Sequence, residues 1–188
     1  MAKNKHAPQQ PAAAHRLLVT RNAEHEKKAS EVMLRCELER VRLRSCMSES
    51  APDESALKSP FTLSFNKPSS NVIGLQGPHL VTESSVLIES FDSSEEKQLV
   101  FRFGCAFQLE YHLDDDFKPN AEEMQAFAEA YAVFNAWPYV REALQSLTQR
   151  MGFSPPPLPL LRIIPSRHES AKRAAPLKRI KKSSPSKS

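Results

Sequence analysis

The chain has 188 residues, of which 40% are hydrophobic and 15 are proline, and this suits one folded domain with polar extensions. No apolar run approaches the ~20 residues of a membrane span, and Leu17–Val19 is too short for the apolar region of a signal peptide. The cysteines Cys36, Cys46 and Cys105 form no CxxC pair, so we expect no disulfide framework. These features predict a cytoplasmic protein without membrane insertion.

Charge is unevenly distributed along the chain. Residues 1–30 carry six Lys/Arg against two Glu, and residues 167–188 carry eight against one, giving net charges of +4 and +7. Residues 31–166 hold the remaining 12 basic and 19 acidic groups, a net charge of −7. Both basic arms are poor in large apolar residues, so we expect both to be disordered and residues 31–166 to form the folded domain.

The first predicted strand is LRCELERVRLRSC, residues 34–46, in which apolar and charged residues alternate. Side chains alternate between the two faces of a strand. The apolar residues change parity between Leu38 and Val41, and this predicts a β-bulge near Glu39 and Arg40.

Two further segments have strand-like alternation. FTLSF, residues 61–65, has an aromatic or leucine at every second position. HLVTESSVLIESF, residues 79–91, places Val86 and Ile88 on one face. Both segments are therefore predicted to be strands.

The clearest strand pattern is LVFRFGCAFQLEYHL, residues 99–113, where every odd position is apolar or aromatic. The even positions are charged, polar or small. One apolar face and one polar face are typical of an antiparallel sheet that is covered on a single side. Gly104 and Ala106 predict a bend or a close approach of another chain segment.

A long helix follows the strands. Asn120 is the predicted N-cap, and Glu122–Glu123 place negative charge at the positive end of the helix. Apolar residues at helical spacing continue to Gly152, and prolines within 155–159 predict an extended segment. Pro138 should kink the helix or start a second one. The fold class is α+β: a four-stranded antiparallel sheet, a long kinked helix, and a C-terminal extended or short helical segment.

Four antiparallel strands followed by a long helix with A-Y…P-Y-x-R-E resemble the SecB family of protein-export chaperones. The resemblance covers about residues 35–163. The matching motif residues are Ala130, Tyr131, Pro138, Tyr139, Arg141 and Glu142. The resemblance implies a homotetramer, a dimer of dimers with its long helices between two sheets. It also implies an ATP-independent holdase that binds unfolded polypeptides, including preproteins that pass to the SecA motor for export by the Sec pathway.

The C-terminal arm departs from this family. SecB ends in an acidic, often zinc-binding tail that engages SecA, whereas this chain ends in RAAPLKRIKKSSPSKS. The family also includes SecB-like chaperones dedicated to an antitoxin of a toxin–antitoxin system, and a basic-tailed member fits that alternative. A different class of function is an adaptor or nucleic-acid-binding protein that uses its basic tail. A solvated tail that only keeps the protein in solution is the simpler interpretation of the same residues.

A holdase needs exposed apolar surface, because unfolded chains present apolar segments at irregular spacing. Burial of such surface contributes about 25 cal/mol per Å² without any sequence readout. Extended clients could also pair with a free sheet edge. The candidates for client contact, or alternatively for core or subunit packing, are Phe101, Phe103, Phe107, Tyr131, Phe134, Trp137 and Tyr139.

Enzymatic activity is not expected. The chain has only four glycines, too few for a phosphate-binding loop, and it has no nucleophile motif. HLDDD, residues 112–116, places His112 beside three aspartates. We interpret this segment as a solvated turn, because the sequence has no second His or Cys at ligand spacing. No catalytic residue, metal or cofactor is therefore predicted.

Overall fold

A computed structural model describes residues 18–20, 23–51, 57–154, 156, 158 and 161–164, with the backbone alone for 18–20 and 162–164. Within these residues, no helix is both long and apolar enough to cross a membrane. In chain order the elements are β1 (Leu18–Thr20), α1 (Ala23–Met33), β2 (Cys36–Ser50), β3 (Thr62–Phe65), β4 (Ser69–Gln76), β5 (His79–Phe91), β6 (Leu99–Leu113), α2 (Ala121–Phe127), a π-helical turn (Ala128–Ala132), α3 (Val133–Arg150) and β7 (Arg162–Ile164).

Five strands form the main sheet, in the order β2-β6-β5-β3, with β4 also paired to β5. All pairings in this sheet are antiparallel. Strands β3 and β4 pair with successive parts of β5, whereas β1 and β7 form a separate parallel pair. The predicted α+β class is confirmed, with one strand more than the four expected.

The two faces of the sheet differ in what covers them. Helices α2 and α3 pack on one face, here called the inner face, where Phe103, Leu109 and Tyr111 are fully buried. The Tyr111 ring meets the Phe127 ring edge-on, with centroids 4.8 Å apart. Most of the alternate β6 residues point to the opposite, outer face and are only half-buried. The alternation in the sequence therefore predicted the inner face correctly.

A capping box starts the long helix at the predicted residue. The Asn120 side chain accepts a hydrogen bond from the Glu123 backbone N–H at 3.0 Å. The Glu123 carboxylate accepts one from the Asn120 backbone N–H at 2.8 Å. These bonds satisfy two donors that would otherwise lack partners at the helix start. The predicted N-cap is confirmed.

Pro138 lies inside α3 and does not start a second helix. The irregular turn is instead π-helical and precedes Pro138, at Ala128–Ala132. Proline cannot donate to the carbonyl four residues earlier, which belongs to Phe134. Both residues lie on the exposed side of the helix, where water can satisfy that carbonyl. The helix therefore tolerates the proline without ending there.

Three elements were not anticipated: strand β1, which lies within residues 1–30, helix α1 and strand β4. Helix α1 covers residues 23–30 of the arm that we expected to be disordered, with Ala29 buried against Ala126 and Ala130. Such a small apolar contact is hard to recognise from composition. Strand β4 begins with Ser69, Ser70 and Asn71, and a bulge between Val72 and Gly74 breaks its alternation. Residues 1–17 and 21–22 of the N-terminal basic arm and all of the C-terminal arm, 167–188, lie outside the described residues.

The predicted irregularities in the strands are confirmed. The register of β2 shifts between Leu38 and Arg40, which leaves Glu39 as the extra residue of a bulge. A second shift, between Leu43 and Ser45, was not predicted. A Cβ added to Gly104 would lie 3.0 Å from Met47 Cγ, so glycine permits a close approach at that position.

Candidate client-binding surface

The seven aromatic candidates divide by burial. Four of them are buried in the core of this chain: Phe101, Phe103, Phe107 and Trp137. Tyr131 is half-buried. Phe134 and Tyr139 are 45% and 39% exposed, respectively. Of the seven, these two can most readily meet a client or another subunit without rearrangement, and the roles of all seven stay predictions.

Tyr131 connects the long helix to α1. Its hydroxyl lies 3.1 Å from Ser30 Oγ, and its ring stacks on Phe127 with centroids 6.0 Å apart. The preceding motif residue, Ala130, is buried against Ala29. This half of the sequence motif therefore holds the helices together within one chain.

Tyr139 belongs to an apolar surface near one edge of the sheet. Its ring lies 6.1 Å from the Phe107 ring, and Phe107 faces Leu43 across the β6–β2 pair. Directly paired residues point to the same face of a sheet, so Leu43 also lies on the inner face. Leu43 is 53% exposed. We call Leu43, Phe107 and Tyr139 the inner edge patch.

Leu43 was not among the predicted site residues. Its position in the alternating segment 34–46 assigned it a face, but only the pairing of β2 with β6 brings it next to Phe107. The sequence signal was a leucine on a strand with arginines on both sides. That pattern is equally typical of an ordinary half-buried strand.

The inner edge patch lies beside the free edge of β2. Within the described residues β2 pairs with β6 alone, so the opposite backbone edge of this 15-residue strand has no strand partner. Two bulges and three arginines, Arg40, Arg42 and Arg44, interrupt this edge. Bulges and charges are common means of preventing uncontrolled pairing at an exposed edge. The edge of β2 is therefore free of strand partners among the described residues but is not a flat template for aggregation.

The second half of the motif lies on the exposed side of α3. Phe134, Pro138, Tyr139 and Glu142 are all exposed there. The neighbouring Arg141 is half-buried, and its Nε atom is buried without a hydrogen-bond partner among the described residues. Buried donors in folded proteins are nearly always paired. A second chain could supply the missing acceptor.

An open groove of about 430 Å³ lies on the outer face. Met47, Leu87 and Gly104 contribute its apolar floor, and Ser45 and Ser85 contribute polar atoms. Met47 is 55% exposed. This groove is a second apolar surface, separated from the inner edge patch by the thickness of the sheet.

The half-buried Cys36 and the buried Cys105 have thiols with strongly raised pKa values. Burial, with a smaller contribution from Asp114, raises the pKa of Cys36 to about 12. Burial, with a smaller contribution from Cys46, raises the pKa of Cys105 to about 12. Both thiols therefore stay protonated at neutral pH, and a protonated thiol is a poor nucleophile.

No protein-family model matches the chain, and no curated protein matches it by sequence. Among solved structures, it is similar to the Mycobacterium tuberculosis SecB-like chaperone Rv1957, solved in complex with a ChAD peptide from the Rv1956 HigA1 antitoxin. The TM-score is 0.60 at 20% identity, over 72% of this chain and 97% of that chain. A protein of unknown function from Streptococcus agalactiae gives a TM-score of 0.36 at 10% identity, over 65% and 94% of the two chains. The chain has a SecB-like fold, as its sequence predicted.

Proposed function

We propose that this protein is an ATP-independent chaperone that binds unfolded polypeptide segments. The observation that carries the proposal is the inner edge patch beside the free edge of β2, in a SecB-like fold. Backbone pairing and apolar contact are the two interactions that any unfolded segment offers, whatever its sequence. A surface that provides both at one place suits a holdase.

The two interactions supply different parts of the binding. Client backbone groups can pair with the N–H and C=O groups on the free edge of β2, which gives sequence-tolerant affinity. Alternate client side chains can then pack on Leu43 and Tyr139, at about 25 cal/mol per Å² of apolar surface buried. Neither interaction requires nucleotide hydrolysis or a cofactor.

Assembly as a homotetramer, a dimer of dimers, is part of the proposal. The exposed stripe with Phe134 and Pro138, together with the unpaired Nε of Arg141, supports a subunit contact along α3. In such an assembly part of the exposed apolar surface would be covered by another subunit. The inner edge patch would then have to remain accessible for the holdase proposal to hold.

The clients in the cytoplasm fall into two classes in this proposal. Exported preproteins, delivered to SecA, are the class that the sequence resemblance implies. A single antitoxin is the alternative, and the antitoxin peptide bound to the Mycobacterium tuberculosis chaperone supports it. Capture of bound proteins from the native cell separates the two, because many precursors would be recovered in the first case and one dominant antitoxin in the second.

The alternative from a different class of function is a nucleic-acid-binding or adaptor protein. It rests on the net charge of +7 in residues 167–188, a segment that lies outside the described residues. Contacts of Lys and Arg with phosphates would make such binding strongly dependent on salt. The holdase proposal, by contrast, depends on the apolar surface of the folded domain.

The test compares two leucines at opposite edges of the sheet. Leu43 on β2 is 53% exposed and Leu75 on β4 is 46% exposed, so Leu43→Ser and Leu75→Ser are closely matched variants. We expect the wild-type protein to suppress light scattering by a chemically denatured enzyme at near-equimolar ratio. Leu43→Ser should need several-fold more protein for the same suppression, whereas Leu75→Ser should behave as wild type.

The possible outcomes test the holdase activity and its assignment to the inner edge patch separately. A wild-type protein that leaves aggregation unchanged would exclude the holdase. Equal activity of wild type and both variants would keep the holdase and exclude the inner edge patch as its binding site. Circular dichroism of both variants checks that the serine has not unfolded the sheet.

A further inference from the structure

A cluster of two histidines and a glutamate lies on the outer face of the sheet. His79 on β5 and His112 on β6 are direct cross-strand partners, and their ring centroids are 5.2 Å apart. Glu39, from the neighbouring strand β2, completes the cluster. One potential ligand atom from each of the three side chains lies within 4.8 Å of the other two. The three residues come from three adjacent strands and are far apart in the sequence.

The bulge in β2 explains how Glu39 reaches the histidines. Leu38 pairs with Tyr111 and Arg40 pairs with Glu110, so Glu39 is the extra residue between them. Bulges redirect the side chain of the extra residue. Here they bring Glu39 Oε2 to 3.2 Å from His79 Nδ1, and Glu39 Oε1 to 3.9 Å from His112 Nδ1. One carboxylate therefore faces both imidazoles.

Both imidazoles turn a buried nitrogen into the cluster. Neither Nδ1 atom makes a hydrogen bond among the described residues, although Glu39 Oε2 lies only 3.2 Å from His79 Nδ1, because the two groups are not aligned as donor and acceptor. Buried polar atoms in folded proteins are nearly always satisfied. Two imidazolium charges at this separation would also repel each other. A single cation shared by two neutral imidazoles and a carboxylate removes both difficulties.

We propose that Glu39, His79 and His112 bind a divalent transition-metal ion of the zinc type. Imidazole nitrogen and carboxylate oxygen are established ligands of Zn²⁺, whereas Ca²⁺ and Mg²⁺ prefer oxygen alone. Ligand atoms on a tetrahedral Zn²⁺ are roughly 3.3 Å apart, as follows from metal–ligand distances near 2.0–2.1 Å. Glu39 Oε2 lies 3.2 Å from His79 Nδ1 and Glu39 Oε1 lies 3.9 Å from His112 Nδ1, with one ligand atom of each side chain within 4.8 Å of the others, so side-chain rotation would bring the three together on one ion.

The fourth position has two candidates. Water can reach the Glu39 side of the cluster, because Glu39 is exposed, although both Nδ1 atoms are themselves buried. Glu110 Oε1 also lies 3.9 Å from His79 Nδ1, but the other Glu110 oxygen faces Arg40 at 3.6 Å. A water ligand leaves that ion pair intact. The metal would then join β2, β5 and β6 through side chains, independently of the client surface on the other face.

Calorimetric titration of the full chain with Zn²⁺ tests the site. We expect about one equivalent of Zn²⁺ to bind, and His79→Gln and His112→Gln each to weaken binding by more than about tenfold, since even outer-shell changes at metal sites cost about 10–100-fold. His25→Gln is the matched control, because His25 faces Glu129 at 3.4 Å on another surface. The control variant should bind Zn²⁺ as wild type does.

A second readout identifies the ligand atoms. Co²⁺ bound by imidazole and carboxylate should give visible bands without the thiolate charge-transfer absorption that a cysteine ligand would add. Unchanged Zn²⁺ affinity in His79→Gln and His112→Gln, with circular dichroism confirming that both are folded, would overturn the proposal. A thiolate band that persists in both variants would assign the metal to cysteine instead, and would likewise overturn it.

Discussion

The inner and outer faces of strand β6 differ in the burial and in the polar interactions of their residues. Each inner-face residue from Phe101 to Leu113 is buried against helices or neighbouring strands. The outer face carries half-buried polar groups, such as Arg102 between Glu49 and Glu89, and the imidazole of His112. Shape and volume therefore govern the inner face, whereas the outer face is governed by charge and by unsatisfied donors and acceptors.

Stability and binding therefore arise at different places on the sheet. Packing on the inner face leaves the candidate client surface only at its margin, where Leu43 and Tyr139 are exposed. The outer face is available for ligands that need polar atoms. The two proposed activities, client binding and metal binding, can therefore be changed separately, and substitutions on β6 should reveal the contrast.

The largest effect should come from the inner face. Phe103 is fully buried, so Phe103→Ala removes a large side chain from a packed core, and we expect a loss of about 3–5 kcal/mol in the free energy of unfolding. Gln108→Ala, on the outer face of the same strand, should change it by at most about 0.5 kcal/mol. Chemical denaturation at a fixed protein concentration measures both. Comparable losses in the two variants would contradict the assignment of faces.

The alternation that identifies these faces was readable in the sequence because side chains on a strand have a fixed period of two. The Asn120 cap and the bulge at Glu39 were readable for a similar reason, since each depends on a few neighbouring residues. Strand β4 was missed because its serines, asparagine and glycine resemble a loop. Local patterns therefore determined most of the sheet and the start of the long helix.

The candidate sites were less predictable because they combine residues from different strands. His112 was interpreted as part of a solvated turn, since no second histidine was near it in sequence, yet His79 lies directly across from it. Leu43 meets Phe107 only through the pairing of β2 with β6. The register between strands determines such contacts, and it cannot be predicted from composition or from residue spacing.

An effect of intermediate size should appear at alkaline pH. The unfolded Cys105 thiol loses its proton near the ordinary value of 9.0, whereas burial raises the pKa of the folded thiol to about 12. The folded state therefore loses stability as pH rises across this range. Cys105→Ala should cost about 1 kcal/mol at neutral pH, as is typical of single substitutions, and this cost should shrink between pH 9.0 and 12.

Denaturation midpoints at several pH values measure this change. The remaining titrating groups are common to wild type and variant, so the difference between the two isolates Cys105. A cost that stays constant up to the alkaline limit would mean that the Cys105 thiol is not held protonated by the inner face. Arg102→Gln is the outer-face counterpart, and its effect should depend on salt rather than on alkaline pH, because exposed ion pairs are screened.

The smallest effect should come from Gly104, the residue next to Phe103. A Cβ at Gly104 would lie 3.0 Å from Met47 Cγ and 3.2 Å from its Sδ, on the outer face. Met47 is 55% exposed and flexible, so it can move aside. Replacing a strand glycine by alanine also gains roughly 0.5–1 kcal/mol in backbone entropy. We therefore expect Gly104→Ala to change the free energy of unfolding by less than about 1 kcal/mol, because overpacking and entropy oppose each other.

A double-mutant cycle with Met47→Ala separates these two contributions. Without the Met47 side chain the overpacking disappears, so Gly104→Ala should become stabilising by roughly 0.5–1 kcal/mol. An equal change in the free energy of unfolding in both backgrounds would place the close contact elsewhere and contradict the outer-face position of Met47. If Gly104→Ala is more favourable to stability in the Met47→Ala background, movement of one outer-face side chain can relieve the overpacking. Truncation of the neighbouring Phe103 on the inner face cannot be compensated in this way.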